Sequence, residues 1–277
     1  MSKLTAAEQM LYSTVKVTTV SKGVVTGSGT GFFYKVTVDD SYAMLLVTNK
    51  HVAKGADEFR LLLHEGTGDP NDGPTGQVFT CSLQLVPGAE FDHPDPAVDL
   101  CAHSVVGLIE SIAESGKHVF LVNLASSNIP ANDDWENFDA IEDVTMVGCP
   151  RGIFDEKNNI PIARRGITAT PLGKKYEGND QFVVDMACFP GSSGSPIFVY
   201  DRNGFLDRKQ NTYQIGAQRV FFVGVLFAGP VITNAGKIVM GQPTEVQVAT
   251  AMHLGYAVRS TAMHAIEDLL RKRVGAS

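Results

Sequence analysis

A chain of 277 residues, 44% of them hydrophobic, has the material for a sizeable core and fits one large domain or two small ones. With 30 acidic residues against 23 basic, the net charge is −7, and the absence of a basic cluster argues against nucleic acid as a main partner. No stretch approaches the ~18 apolar residues of a membrane span, and the start, Met1-Ser2-Lys3-Leu4-Thr5-Ala6-Ala7-Glu8, lacks the apolar core of a secretory signal. The expectation is a soluble, cytoplasmic protein with no membrane or nucleic-acid partner.

Residues 1–10 are expected to form a short helix or a loose arm. From Leu11 the pattern turns to β. Val15, Val17 and Val20 are spaced by polar residues, and Phe32–Val38 and Ala43–Thr48 are runs of strand formers parted by a turn at Asp39-Asp40. A polar, Gly/Pro-rich loop from Glu65 to Gln77 lies between two further strand candidates. Val119–Val122, Val144–Val147, Gln181–Val184, Ile197–Tyr200 and Val220–Val223 follow as strands. A helix is expected over 108–114 and another from Ser260, where Ala262, Met263, Ile266, Leu269 and Leu270 recur at helical spacing. Ser260 suits its N-cap, and Arg271-Lys272-Arg273 suits the negative end of its dipole. Many short strands with turns between them predict sandwiches or barrels, split near Ser115-Gly116-Lys117 into two β halves.

The four cysteines, Cys81, Cys101, Cys149 and Cys188, lie far apart, each in or beside an apolar run. No Cys-x-x-Cys is present, so the expectation is reduced thiols and neither metal nor cofactor.

One stretch can carry chemistry: Phe189-Pro190-Gly191-Ser192-Ser193-Gly194-Ser195-Pro196-Ile197-Phe198. A serine hydroxyl becomes a nucleophile only beside a base and backbone N–H groups aimed at the oxyanion. Two glycines around Ser193 would allow both, with Gly191 and Ser193 supplying the N–H groups. A Gly/Ser-rich stretch also serves as a plain turn or linker.

The candidate base is His51, in Thr48-Asn49-Lys50-His51-Val52 after the Ala43–Thr48 strand; the competing reading is a surface loop histidine. The candidate acid is Asp99. Asp57, Asp92 and Asp95 compete, but Asp99 alone has apolar neighbours on both sides, Val98 and Leu100, and a carboxylate so placed must find a donor. His51 Nδ1–H would be that donor, turning Nε2 toward the serine. The chain order His, Asp, Ser is the chymotrypsin one, opposed to the subtilisin and α/β-hydrolase orders.

Here the chain resembles the trypsin-like serine peptidases, especially the bacterial branch with the high-temperature-requirement and V8-type proteases. The motifs that carry the resemblance are Gly29-Thr30-Gly31-Phe32, Thr48-Asn49-Lys50-His51-Val52, Val98-Asp99-Leu100 and Gly191-Ser192-Ser193-Gly194-Ser195-Pro196. It implies an all-β fold of two antiparallel six-stranded barrels, at about 11–115 and 116–258, with a C-terminal helix over 259–273. With little sequence after that helix, no PDZ-like domain is expected. It also implies His51 as general base, Asp99 as its orienter, Ser193 as nucleophile, and Gly191 with Ser193 as the oxyanion hole. Gly224-Val225-Leu226-Phe227-Ala228-Gly229 is similar to the strand that pairs with substrate and walls the S1 pocket.

Departures from the family shape the expected specificity. Ser192 stands where digestive members carry the aspartate that pairs with a freed N-terminus. Ala187 stands at the trypsin pocket floor, so Arg or Lys at P1 is not expected. Leu226 stands where V8-type enzymes carry a histidine, so neither is Glu. Substrate-lining residues Ala187, Cys188, Phe227, Ala228 and Gly229 imply a small or medium apolar P1.

The expected activity is serine endopeptidase action on a protein or peptide substrate. Alternatives are a non-cutting peptide-binding scaffold and an esterase or acyl transferase on the same nucleophile. Control is expected from narrow specificity or a regulatory protein partner. The Glu65–Gln77 loop, Asn132–Trp135 and the Asp201–Gln214 insertion are read first as solvated loops and second as its contacts.

Overall fold

The computed structural model describes residues 4–38, 41–69, 72–240 and 242–275, and over 231–251 the backbone. The turn expected at Asp39-Asp40 lies outside the described residues. The N-terminal arm is a helix, α1 (Ala6–Tyr12), closed by a reciprocal cap. Thr5 Oγ1 accepts the Glu8 N–H while the Glu8 carboxylate accepts the Thr5 N–H.

The first half is one antiparallel sheet. Its strands are β1 (Thr14–Ser21), β2 (Val24–Val38), β3 (Ser41–Thr48), β4 (Glu58–Glu65), β5 (Val78–Gln84), β6 (Phe91–Asp92), β7 (Cys101–Ser104) and β8 (Val119–Phe120). They run β5-β4-β1-β2-β3-β7-β6, with β8 on β4. Of these 8 strands, β6 and β8 are 2 residues long, so six carry the curved sheet. Two helices interrupt it, α2 (Lys50–Ala53) directly after β3 and α3 (Val106–Glu114) after β7. Because β8 still pairs with β4, and Leu124 bridges Tyr34, the first half extends beyond the expected boundary near Ser115.

A short helix, α4 (Asn132–Asn137), leads into the second half. There β9 (Asp143–Gly148), β10 (Ile162–Thr168), β11 (Gln181–Asp185), β12 (Pro196–Asp201), β15 (Arg219–Ala228) and β18 (Leu254–Arg259) close a barrel in the order β10-β11-β18-β15-β12-β9. Two hairpins stand outside it: β13 (Gly204–Asp207) with β14 (Thr212–Ile215), and β16 (Val231–Met240) with β17 (Gln242–Ala251). The expected two-barrel architecture with a C-terminal helix is therefore the one observed. No helix among the described residues is long and apolar enough to cross a membrane.

Two expected loops are ordered elements. Asn132–Trp135 starts α4 and buries Trp135, whose indole N–H donates to the Pro130 carbonyl. The Asp201–Gln214 insertion is the β13–β14 hairpin. Ser260 does not cap the last helix. It lies inside a 3₁₀ turn, Ser260–Ala262, with its hydroxyl buried and without a partner. The helix proper, α5 (Met263–Gly275), then buries Met263, Ile266, Glu267 and Leu270, the i, i+3, i+4, i+7 stripe of an amphipathic helix.

That stripe joins the halves. Met263, Ile266 and Leu270 pack with Phe32, Tyr34 and Leu45 of the first sheet and with Phe198, Phe222 and Val258 of the barrel. Glu267, the polar member of the stripe, accepts a 2.5 Å hydrogen bond from the Tyr34 hydroxyl and pairs with Arg271 at 3.1 Å. Each half also has its own core, around Phe59 and Leu61 in the first and Phe182 and Val223 in the second. The face between these cores is where strand ends bring the candidate residues together.

Candidate active site

The β3 strand delivers His51. Its last residue, Thr48, is buried and donates to the Thr30 carbonyl at 2.7 Å; α2 then begins at once, so His51 stands at the rim of the sheet. Asn49, fully buried, ties this turn to the acid by donating to the Asp99 carbonyl at 2.6 Å. The Asp99 carboxylate in turn receives two bonds from one residue. Oδ1 accepts the His51 N–H at 3.1 Å and Oδ2 lies 2.5 Å from His51 Nδ1. A carboxylate accepts, so Nδ1 carries the proton and Nε2 is left to the cleft.

Burial alone would raise the Asp99 carboxyl. The His51 hydrogen bond and charge, with backbone N–H groups of His51 and Lys50, outweigh it and hold the carboxyl below the ordinary carboxylate range. The competing aspartates are engaged elsewhere or stand aside. Asp57 accepts the Lys22 N–H, and Asp95 caps its own turn by accepting the Ala97 N–H. Asp92 lines the cavity of about 570 Å3 behind His51 and Asp99.

Ser193 lies on the Phe189–Ser195 loop that enters β12. Every carbonyl from Phe189 to Ser193 has a donor. Phe189 accepts from Ser192 N–H at 3.0 Å, Pro190 from Arg151 N–H at 2.6 Å, and Ser192 from Ser195 N–H at 3.0 Å. Gly191 accepts from Thr30 Oγ1 at 2.9 Å, and Ser193 from Thr30 N–H at 2.9 Å. Each peptide plane is thereby fixed, and the N–H groups of Gly191 and Ser193 meet no acceptor among the described residues. Gly191 has φ +87°, and a Cβ there would stand 2.7 Å from Arg151 N; Gly194 has φ +88°, and a Cβ would stand 1.9 Å from the Thr30 carbonyl oxygen. Only glycine fits either position.

His51 and Ser193 line one cavity of about 360 Å3, together with Ser28, Lys54 and Gly191. Ser193 Oγ itself lies 3.5 Å from the Phe227 carbonyl oxygen, a long contact that leaves the hydroxyl free to rotate. On its other side Ser193 joins Cys188, Phe189, Pro190, Leu226, Ala228, Gly229 and Pro230 around a pocket of about 140 Å3. Of the expected substrate-lining residues, Cys188, Ala228 and Gly229 are in that wall. Ala187 is not, its carbonyl being taken by Arg164 Nη1 at 2.5 Å, and Phe227 presents its carbonyl to Ser193 rather than its ring to the pocket. Burial pushes the Cys188 thiol up to about 11, so it is an apolar wall at neutral pH. Ser192 is buried with no partner for its hydroxyl, so no ion pair forms before Ser193.

Thr30 and Arg151 were not singled out by sequence reasoning. Thr30 has a visible signal, the Gly-Thr-Gly frame that lets its backbone approach the serine loop. Arg151 acts through its backbone at φ +51°, and a main-chain donor leaves no mark on residue type.

Residues 29–206 match the family model of the trypsin-like peptidase domain, a span that takes in His51, Asp99 and Ser193. No curated protein matches the chain. Among solved structures, a serine endoprotease from Yersinia pestis is 14% identical with TM-score 0.47, over 98% of this chain and 68% of that one. The MamO protease domain from Magnetospirillum magneticum is 12% identical with TM-score 0.42, over 94% and 97%. A catalytically active tobacco etch virus protease complexed with product is 12% identical with TM-score 0.42, over 83% and 73%.

Proposed function

We propose that this chain, which belongs to the trypsin-like peptidase family, is a serine-type endopeptidase whose reaction is carried by His51, Asp99 and Ser193. The observation that supports this most is the pairing of both Asp99 oxygens with His51 on the wall that Ser193 shares.

In this reading Ser193 Oγ attacks the substrate carbonyl and His51 Nε2 takes its proton. Asp99 holds the imidazole in the Nδ1–H tautomer and stabilises the imidazolium. The N–H groups of Gly191 and Ser193 receive the oxyanion, and because neighbouring carbonyls are already engaged, no reorganisation is needed when that charge develops. A substrate strand laid along Phe227–Gly229 takes the Phe227 carbonyl for its own N–H and releases the serine hydroxyl toward His51. His51 then protonates the leaving amine, and water hydrolyses the acyl-enzyme.

The pocket of about 140 Å3 is well below the ~300–1,000 Å3 of a site for a whole small ligand, and suits one side chain. Its wall offers no charge to a Lys, Arg or Glu entering it, so a small or medium apolar P1 residue is favoured. The test is a P1 series of otherwise identical peptide amides. Ala, Val and Leu should be cleaved at least about tenfold faster than Arg, Lys or Glu, since an unpaired charge in such a pocket costs more than ~1 kcal/mol. A charged residue as the best P1 would refute the pocket assignment.

A further inference from the structure

The cavity that His51 and Ser193 share has a charge opposite to that of the molecule. It is lined by Thr19, Thr26, Ser28, His51, Lys54 and Gly191 among others, and no carboxylate is in its wall. Yet the chain carries 30 acidic residues and a net charge of −7. The cavity behind His51 differs, for Glu90, Asp92 and Asp99 line it beside Lys50 and the shared Lys54.

A further cation lies beside the acid-free cavity. A Cβ on Gly152 would stand 3.4 Å from Lys16 Nζ and 3.4 Å from the hydroxyl of Ser28, so the Lys16 ammonium and this wall residue flank the same point. Arg151, the residue before Gly152, lays its guanidinium 5.6 Å from the ring centroid of Phe189, which lines the pocket on the other side of Ser193. Lys16 rests on the Phe154 ring at 4.9 Å. None of Lys16, Lys54 and Arg151 has a carboxylate within ion-pair distance among the described residues. The positive charge is thus left for something outside the chain.

The position of Ser193 says what that is. Ser193 separates this cavity from the pocket walled by Cys188, Leu226 and Ala228. If that pocket takes the side chain before the scissile bond, the chain after it leaves across Ser193, along the wall where His51 protonates the new amine. We propose that this leaving-group side selects substrates carrying Asp or Glu at the first two or three positions after the scissile bond. The inference rests on the reading of Ser193 as nucleophile and adds the substrate class. Attraction to a few exposed cations changes rates severalfold, and more at low salt.

The test uses fluorescence-quenched peptides built on one sequence that the enzyme cuts in a denatured protein. They differ only in the two residues after the cut: Glu-Glu, Gln-Gln or Lys-Lys. The wild type should favour Glu-Glu over Lys-Lys by about tenfold in dilute buffer, with the ratio falling toward one at roughly 0.5 M salt. In the K16E/K54E variant the order should reverse. Each figure is a ratio within one enzyme, so a general loss of activity cannot imitate it, and the salt titration needs no variant at all. Equal rates, a wild-type preference for Lys-Lys, or a ratio unmoved by salt and by the reversal would overturn the inference while leaving Ser193 as nucleophile. No cleavage of any protein and no labelling by a fluorophosphonate would overturn that reading, and the inference with it.

Discussion

Thr30 Oγ1 donates to the Gly191 carbonyl at 2.9 Å, a bond that spans 161 residues and joins the first β half to the serine loop of the second. The same oxygen accepts the Cys149 N–H at 2.9 Å, and the Thr30 N–H holds the Ser193 carbonyl. Thr30 is fully buried, so it acts through the loop it holds and is a positioning residue for the two unengaged N–H groups beside it. Thr30→Val keeps the shape and removes the donor. It should lower kcat by about ten- to a hundredfold, as expected for ~1–3 kcal/mol lost at an unsatisfied buried carbonyl. KM should change little, and Thr30→Ser should restore most of kcat. A fall in Tm with kcat unchanged would mean that Thr30 serves stability alone.

Asp99 makes a different prediction, because its two oxygens both serve His51. Asp99→Asn preserves the size but favours the wrong imidazole tautomer, and kcat should fall by about 10⁴-fold near neutral pH. The pH dependence of stability follows from the sign of the shift. The Asp99 carboxyl is held below its unfolded value, so its contribution is present above about pH 4 and is lost as pH falls below that. The stability gap between wild type and Asp99→Asn, measured by denaturant titration, should therefore close on acidification. A gap that widens below pH 4 would contradict the assignment.

What the sequence revealed and what it hid have physical reasons. The candidate residues Ser193, His51 and Asp99 stood out because each sits in a local pattern with a chemical need: glycines at a tight turn, a histidine after a buried strand, an acid between Val98 and Leu100. Strands buried on both sides, such as Pro196–Asp201, were visible as apolar runs. By contrast, Ile162–Thr168 carries Arg164 and Arg165 at its centre and lacks an apolar run, so it was missed. The β16–β17 hairpin, Val231–Met240 with Gln242–Ala251, mixes polar residues and glycine through its length and was missed too. Ser260 had the residue type of an N-cap, but a 3₁₀ turn preceding α5 buried it. The pocket wall was only half legible, since Phe189, Pro190 and Pro230 join it through the path of the chain rather than through any motif.

The Tyr34–Glu267 bond at 2.5 Å predicts how the halves are held. Burial first, and the Glu267 carboxylate second, push the Tyr34 hydroxyl far above its ordinary range, so it remains a donor at any working pH. Tyr34→Phe leaves a buried carboxylate short of one partner and should cost about 1–3 kcal/mol in denaturant unfolding. Replacing both, as Tyr34→Phe with Glu267→Leu, should recover most of that loss, because no polar group is then left unpaired. A double variant less stable than the single one would show that Glu267 is held chiefly by Arg271 instead.

The most direct test of the central claim is mass spectrometry of the protein after reaction with a fluorophosphonate. The account predicts a single adduct on the peptide containing Ser193, absent from Ser193→Ala and strongly slowed in His51→Ala. An adduct on any other residue, or one that persists in Ser193→Ala, would contradict it.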